Sequence, residues 1–218
     1  APEGAEIAEY DFADKFVLPG LVDCHVHLTM PGDGTAVEEA MDLPDELLTL
    51  RAAHNARKAL DAGTTTLREM GAKNRTTFLL REGMRRGLAV GPRLLLSGRP
   101  LTITGGHCWM MGSEADGVEG VRREVRQLLK EGADFIKIMA TGGATRGTAP
   151  HQSSYSLEEL RAAVDEAHQF DKRTAVHCLS LRGVANAMEA GADLLVHGMF
   201  RDERGMPAYD ERLLERIA

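Results

Sequence analysis

A basic excess, a disulfide framework, an abundance of aromatics and a membrane span are all missing from these 218 residues. Lys and Arg number 26 against 33 Asp and Glu, a formal charge of −7, and basic residues gather only in short helical clusters such as Arg122-Arg123. Nucleic acid and anionic membrane are thereby set aside as main partners, because both are held by clustered positive charge. No apolar run approaches the roughly 18 residues that crossing a bilayer requires. Three cysteines (Cys24, Cys108 and Cys178) are too few and too dispersed for a disulfide framework, and they fit a reduced, cytoplasmic setting. Aromatics make up only 5%, so Leu, Val, Ile, Ala and Met must build the core. At 43% apolar content the chain has enough of them for one.

What is present is a repeating strand–helix alternation. Leu47, Leu50, Ala53, Ala56 and Leu60 have helical spacing over 44–61, Gly63 closes that helix, and Thr64-Thr65-Thr66-Leu67 follows as a strand. The same device recurs at Gly132 before Phe135-Ile136-Lys137-Ile138-Met139, and at Gly191 before Leu194-Leu195-Val196-His197. Glycine ends helices well because it takes the left-handed conformation without a Cβ penalty. Ser156 and Glu159 form a capping box that opens a helix running to about His168. Six strands are predicted, over 16–22, 64–68, 93–96, 135–139, 174–177 and 194–197, and a last helix over 213–218. Alternation of this kind implies a parallel sheet with helices outside, and both a doubly wound sheet and a (β/α)8 barrel satisfy it.

The polar residues separate the two. His25 and His27 lie on one face of the first strand's end, because strand side chains alternate with period two. Lys137 lies within the fourth strand, His177 ends the fifth and His197 ends the sixth. A closed barrel gathers such strand ends around one mouth, whereas an open sheet leaves the first and sixth far apart. Neutral imidazoles there suit zinc and similar divalent ions. Lys137 shares a strand face with Phe135 and Met139, so burial should favour its neutral amine, which can react with carbon dioxide to give a two-oxygen anion. A buried lysine–carboxylate pair is the other reading of Lys137. Cys24 and Cys178, each beside a strand histidine, should face away from it into helix packing. His54 and His168 read as exposed or packing residues on helices.

Pro-Gly-Leu-Val-Asp-Cys-His-Val-His, Phe-Ile-Lys-Ile-Met, Ala-Val-His-Cys and Leu-Val-His-Gly, in that order, resemble the amidohydrolase superfamily over nearly the whole chain. The likeness is to its binuclear, carboxylated-lysine branch, which includes prolidase-like and other Xaa-dipeptidases. It implies an α/β fold, a (β/α)8 TIM-type barrel of the metal-dependent hydrolase kind with about six βα units in this chain. It further implies two divalent metal ions, zinc in type, with His25 and His27 on one, His177 and His197 on the other, and carboxylated Lys137 bridging them. In that branch a hydroxide shared by the metals attacks an amide carbonyl, so the expected substrate is a dipeptide or N-acyl amino acid. In dipeptidase-like relatives a His and a Tyr from the loops hold the substrate carboxylate. His107 and Tyr155 are the candidates here, with Arg146 a third.

Departures from the pattern narrow these expectations. Related deaminases carry a glutamate three residues after the fifth-strand histidine, where this chain has Ser180, which disfavours deamination. Cyclic-amide hydrolases of the imidazolone type mostly lack the bridging lysine. The aspartate that ends an eighth strand in the superfamily has no counterpart here, and residues 1–15 resemble only the tail of a flanking β-sandwich, with 16–218 as the barrel domain. The expectation is a piece of a protein roughly twice as long. A truncated, metal-binding but inactive piece, or a scaffold, is the reading from a different class. Two raw strand edges would invite pairing with another chain, as in a homo-oligomer.

Overall fold

Short β-rich runs between glycine-terminated helices leave the chain little choice but to lay its strands side by side in sequence order. The computed structural model, which describes residues 4, 8 and 10–217, shows this arrangement. Strands β1 (Leu21–Val26), β2 (Thr64–Glu69) and β3 (Arg93–Leu96) form one parallel sheet, and β4 (Ile136–Met139), β5 (Thr174–His177) and β6 (Leu194–Val196) another. A parallel bridge between Leu101 and Ile138, and the Asp134 N–H donating to the Leu96 carbonyl at 2.8 Å, carry the pairing from β3 to β4. The result is one six-strand parallel arc.

Seven helices alternate with these strands among the described residues: α1 (Val37–Met41), α2 (Asp45–Asp61), α3 (Thr76–Arg85), α4 (Gly117–Glu131), α5 (Leu157–His168), α6 (Leu181–Glu189) and α7 (Glu211–Ile217). The punctuation read from sequence holds: Gly63, Gly132 and Gly191 take φ of +90°, +106° and +84°. The Ser156–Glu159 capping box is complete at the start of α5. Ser180 caps α6 by accepting from the Gly183 N–H, which explains a small hydroxyl residue there in local terms.

Two apolar layers sandwich the arc. Ile136, Ile138, Val176 and Cys178 point outward into a large core shared with Val121, Val125 and Leu128 of α4 and Leu160, Ala163 and Val164 of α5. Met70, Phe135, Ala175 and Val196 form a separate small cluster on the concave side. Alternation along β4 therefore places Lys137 inside the curve, as its sequence position implies.

Two expectations are corrected. The first strand begins at Leu21 rather than residue 16; Phe16 to Leu18 are exposed, and the ladder opens with the Leu21 N–H donating to the Gly63 carbonyl. Cys178 faces helix packing, but Cys24 is exposed, as are its β1 neighbours Leu21 to Asp23. The sandwich remnant expected over 1–15 falls partly outside the described residues, as does Ala218 of the last expected helix. Among the described residues, no helix is long and apolar enough to cross a membrane.

Candidate metal-binding active site

Curvature decides the site. His25 from β1 and His197 from beyond β6 come within 5.2 Å, centroid to centroid, although they lie at opposite edges of the arc. His25 also meets His27 at 5.2 Å, and His197 meets His177 at 4.8 Å. His107, from the loop after β3, extends the row by packing 4.7 Å from His177. Five imidazoles thus line one concave mouth at the C-terminal ends of the strands, the place where barrel folds keep their reactive groups.

They reach it by different routes. His25 and His27 arrive by simple alternation, with Val26 between them packing against the outer core. His177 follows Ala175 inward in the same way. His197 does not: its neighbour Val196 already occupies the concave side, so alternation would send His197 outward. A left-handed backbone, φ +67°, turns its ring back to the row. A non-glycine residue in this region costs free energy, and such outliers gather at functional sites. Cys108, next to His107, is another, at φ +63°.

Backbone carbonyls fix the rings. The His27 Nδ1–H donates to the Gly71 carbonyl at 2.9 Å, and the His177 Nε2–H to the Gly142 carbonyl at 3.1 Å. A carbonyl can only accept, so each bond sets the tautomer and leaves the other ring nitrogen as a lone-pair donor. His107 Nδ1 bonds the Thr145 hydroxyl at 2.8 Å, and that oxygen also accepts the Cys108 N–H at 3.0 Å. Gly143 lies so close to His107 that a Cβ there would stand 2.5 Å from Nε2.

Burial keeps the group neutral. Desolvation, reinforced by the Lys137 charge, lowers His25 and His107 from 6.5 to about 4. Desolvation and neighbouring His107 take His177 down to about 2, and His27 and His197 are lowered as well, mainly by burial. Lys137 is 1% exposed, and desolvation brings its amine down to about 8. Glu69 is the acid that acts on it, by charge at a distance and without a hydrogen bond. A tight lysine–carboxylate pair is therefore not what occupies this strand.

The donor set fits divalent cations. The Nε2 atoms of His25 and His27 stand 3.3 Å apart. Two nitrogens on one tetrahedral zinc, each at about 2.0–2.1 Å, would be separated by roughly the same distance. Among the described residues, no three His, Cys, Asp or Glu side chains form a ready-made site for a single cation.

Of the loop residues read from sequence, only His107 reaches the row. Tyr155 is buried in the outer core and its hydroxyl donates to the Ala115 carbonyl at 3.0 Å, so the structure does not bring it to the imidazoles. Arg146 is exposed; its N–H donates to Glu38 at 2.6 Å, and it borders a 540 Å³ depression with Trp109 and Lys73. His54 is exposed, and exposed His168 bonds Asp193 at 2.8 Å, both away from the row. Sequence reasoning missed Glu69, Gly71, Gly142 and Thr145. Only Glu69, an acid at the C-terminal end of a predicted strand, left a signal that could have been read.

Comparison with known proteins agrees with this architecture. The family model described as "Amidohydrolase family" matches residues 16–207. Ochratoxinase from Aspergillus niger is 31% identical over 219 residues, covering 86% of this chain and 44% of that protein. The crystal structure of a prolidase complexed with N-methylphosphonate-L-proline aligns with a TM-score of 0.74 at 32% identity, over 86% of this chain and 49% of the other. A Xaa-Pro dipeptidase with bound methionine in its active site gives 0.78 at 27% identity, over 97% and 55%. The chain thus spans about half the length of these relatives. With its match running from β1 past β6, the chain belongs to the amidohydrolase family and supplies six βα units of that family's barrel.

Proposed function

We propose that the protein is a metal-dependent hydrolase of an amide bond, acting on a dipeptide or N-acyl amino acid. The observation that carries this reading is the 5.2 Å approach of His25 to His197, since nothing in local sequence would bring those rings together. Neutral imidazoles and a partly neutral, buried amine are the ligand forms that a pair of zinc ions needs. In this reading His25 and His27 hold one ion and His177 and His197 the other. Each ion takes only two imidazoles from the chain, which suits a site lacking a ready-made trio. Lys137, buried and partly neutral, is the residue that would take up carbon dioxide with release of one proton to solvent, and as a carbamate it would help His25, His27, His177 and His197 hold the two ions. Such a pair, when bound, polarises an amide carbonyl and supplies a nucleophile at neutral pH.

The chain's own residues do the rest. The Gly71 and Gly142 carbonyls hold ring orientation, and the Met70–Phe135–Ala175–Val196 layer keeps water from the floor beneath Lys137. His107, held by Thr145, is placed to meet substrate, with Arg146 further out on the rim. The ligands named in the prolidase and dipeptidase structures are amino-acid-like, which favours that substrate class.

Metal analysis of the full-length protein tests the reading: two zinc ions per barrel and chelator-sensitive hydrolysis of dipeptides are expected. Lys137→Ala should lose nearly all turnover, with partial rescue by short carboxylic acids. Full turnover and both metals in Lys137→Ala would remove the bridge, and a protein that takes up no metal would favour the scaffold.

A further inference from the structure

Glu69 has no part in the reading above. It is the last residue of β2 and completely buried; among the described residues one of its carboxyl oxygens, Oε1, makes no hydrogen bond of good geometry, although the Leu28 backbone N–H favours the ionised carboxyl. A buried acid left half-satisfied is costly, so its retained bond calls for an explanation. The other oxygen, Oε2, accepts the Gly71 N–H at 3.3 Å, and the Gly71 carbonyl in turn accepts His27 Nδ1–H at 2.9 Å. Gly71 sits at φ +148°, and a Cβ there would press on Pro100 at 3.3 Å and touch His27 Cε1 at 3.6 Å. The 69–71 turn is also tied to both flanking strands, by Met70 N–H to the Val26 carbonyl at 2.9 Å and Ser97 N–H to the Glu69 carbonyl at 3.1 Å.

We infer that Glu69 is a positioning residue: acting through Gly71, its carboxyl holds the His27 ring in the tautomer and direction that a metal ion requires. This rests on the proposed role of His27 as a ligand. The contact works in two steps. The carboxyl holds the Gly71 N–H, the φ of +148° that glycine takes without strain turns the next peptide's carbonyl toward His27, and that carbonyl keeps the proton on Nδ1. Nε2 is then left free beside His25. Outer partners of ligating histidines typically govern about 10–100-fold in metal affinity. His177 serves as an internal reference, because the N–H of its partner Gly142 donates to the Gln152 carbonyl at 3.0 Å rather than to an acid.

The experiment compares Glu69→Ala, Glu69→Gln and Gly71→Ala with wild type in the full-length protein. It reads the His27 tautomer by 15N–1H NMR without metal, and affinity by competition titration with Zn2+ alone. Glutamine keeps an oxygen able to accept the Gly71 N–H, so Glu69→Gln should retain the Nδ1–H tautomer and near-normal affinity. Glu69→Ala and Gly71→Ala should mix the His27 tautomers and weaken one zinc site 10–100-fold, while His177 keeps its signature. An unchanged His27 tautomer in a folded Glu69→Ala protein overturns the inference, as does a Glu69→Gln defect equal to that of alanine. If Glu69→Ala does not fold, Glu69→Leu, which fills the space without an acceptor oxygen, decides by the same tautomer readout. Wild type that binds no Zn2+ at all would fail the metal reading, while the tautomer comparison would still judge the role of Glu69.

Discussion

The two halves of the arc are built differently. In β4 and β5 every residue is buried, the pairing is regular, and Lys137 and His177 sit on rigid, two-sided strands. In β1 most residues are exposed, and its pairing with β2 slips twice, between Leu21 and Val22 and between Asp23 and Val26. Yet β1 supplies His25 and His27. The comparison teaches that a strand need not be buried to aim imidazoles into the mouth, provided its far end is pinned by a neighbour, here the turn at Gly71. The well-buried half meets the opposite difficulty, since it must hold an amine where charge is unwelcome.

Replacing that amine gives the largest expected effect. Lys137→Met should abolish turnover in the full-length enzyme while leaving unfolding stability equal or higher, because a buried ionisable group gives way to an apolar one of similar size. A denaturant titration beside an activity assay checks both parts. The packing contrast comes next. Ile138→Ala should destabilise by about 2–5 kcal/mol, a buried aliphatic lost to a cavity, whereas Val22→Ala on exposed β1 should change stability by less than about 0.5 kcal/mol. Similar losses at both sites, in urea melts, would mean β1 is covered in the complete protein.

Acid should weaken the fold through the imidazole row. Unfolded, these rings titrate near 6.5; folded, His25 and His107 do so near 4 and His177 near 2. The unfolded chain takes up protons first, so metal-free stability is intact above about pH 6.5 and falls as pH drops toward 4. Melting temperatures across that window, compared with those of His177→Gln, measure the effect, which should be shallower in the variant. A smaller effect is expected at His197. Glycine there removes the cost of a left-handed backbone at a residue with a side chain, so metal-free His197→Gly should gain about 1 kcal/mol, and on the proposed reading it should lose affinity for one zinc ion. Calorimetry with and without Zn2+ separates the two. Ser156→Ala, which removes the cap of α5, should cost about 1 kcal/mol and leave the site untouched.

Much of the site was legible because strand alternation and helix punctuation are local rules. The His25-x-His27 spacing, Lys137 between two outward isoleucines, and the glycines at 63, 132 and 191 follow from chain geometry over a few residues. Tyr155 was misplaced for the opposite reason. Its position in a loop near the mouth fixed only the backbone, and burial beneath Ala115 turned the ring toward the outer core. Glu69 and Gly71 were passed over because their importance depends on a contact with His27, more than forty positions away.

The order of strands and helices, the metal-suited residue types and the alternating face of each strand were set by the sequence alone, since each depends on periods of two or 3.6 residues. Only the tertiary structure could bend the arc until β1 met the end of β6, turn His197 inward against its alternation, and strip water from Lys137. Each of those depends on packing between segments distant in the chain, and no local period encodes it.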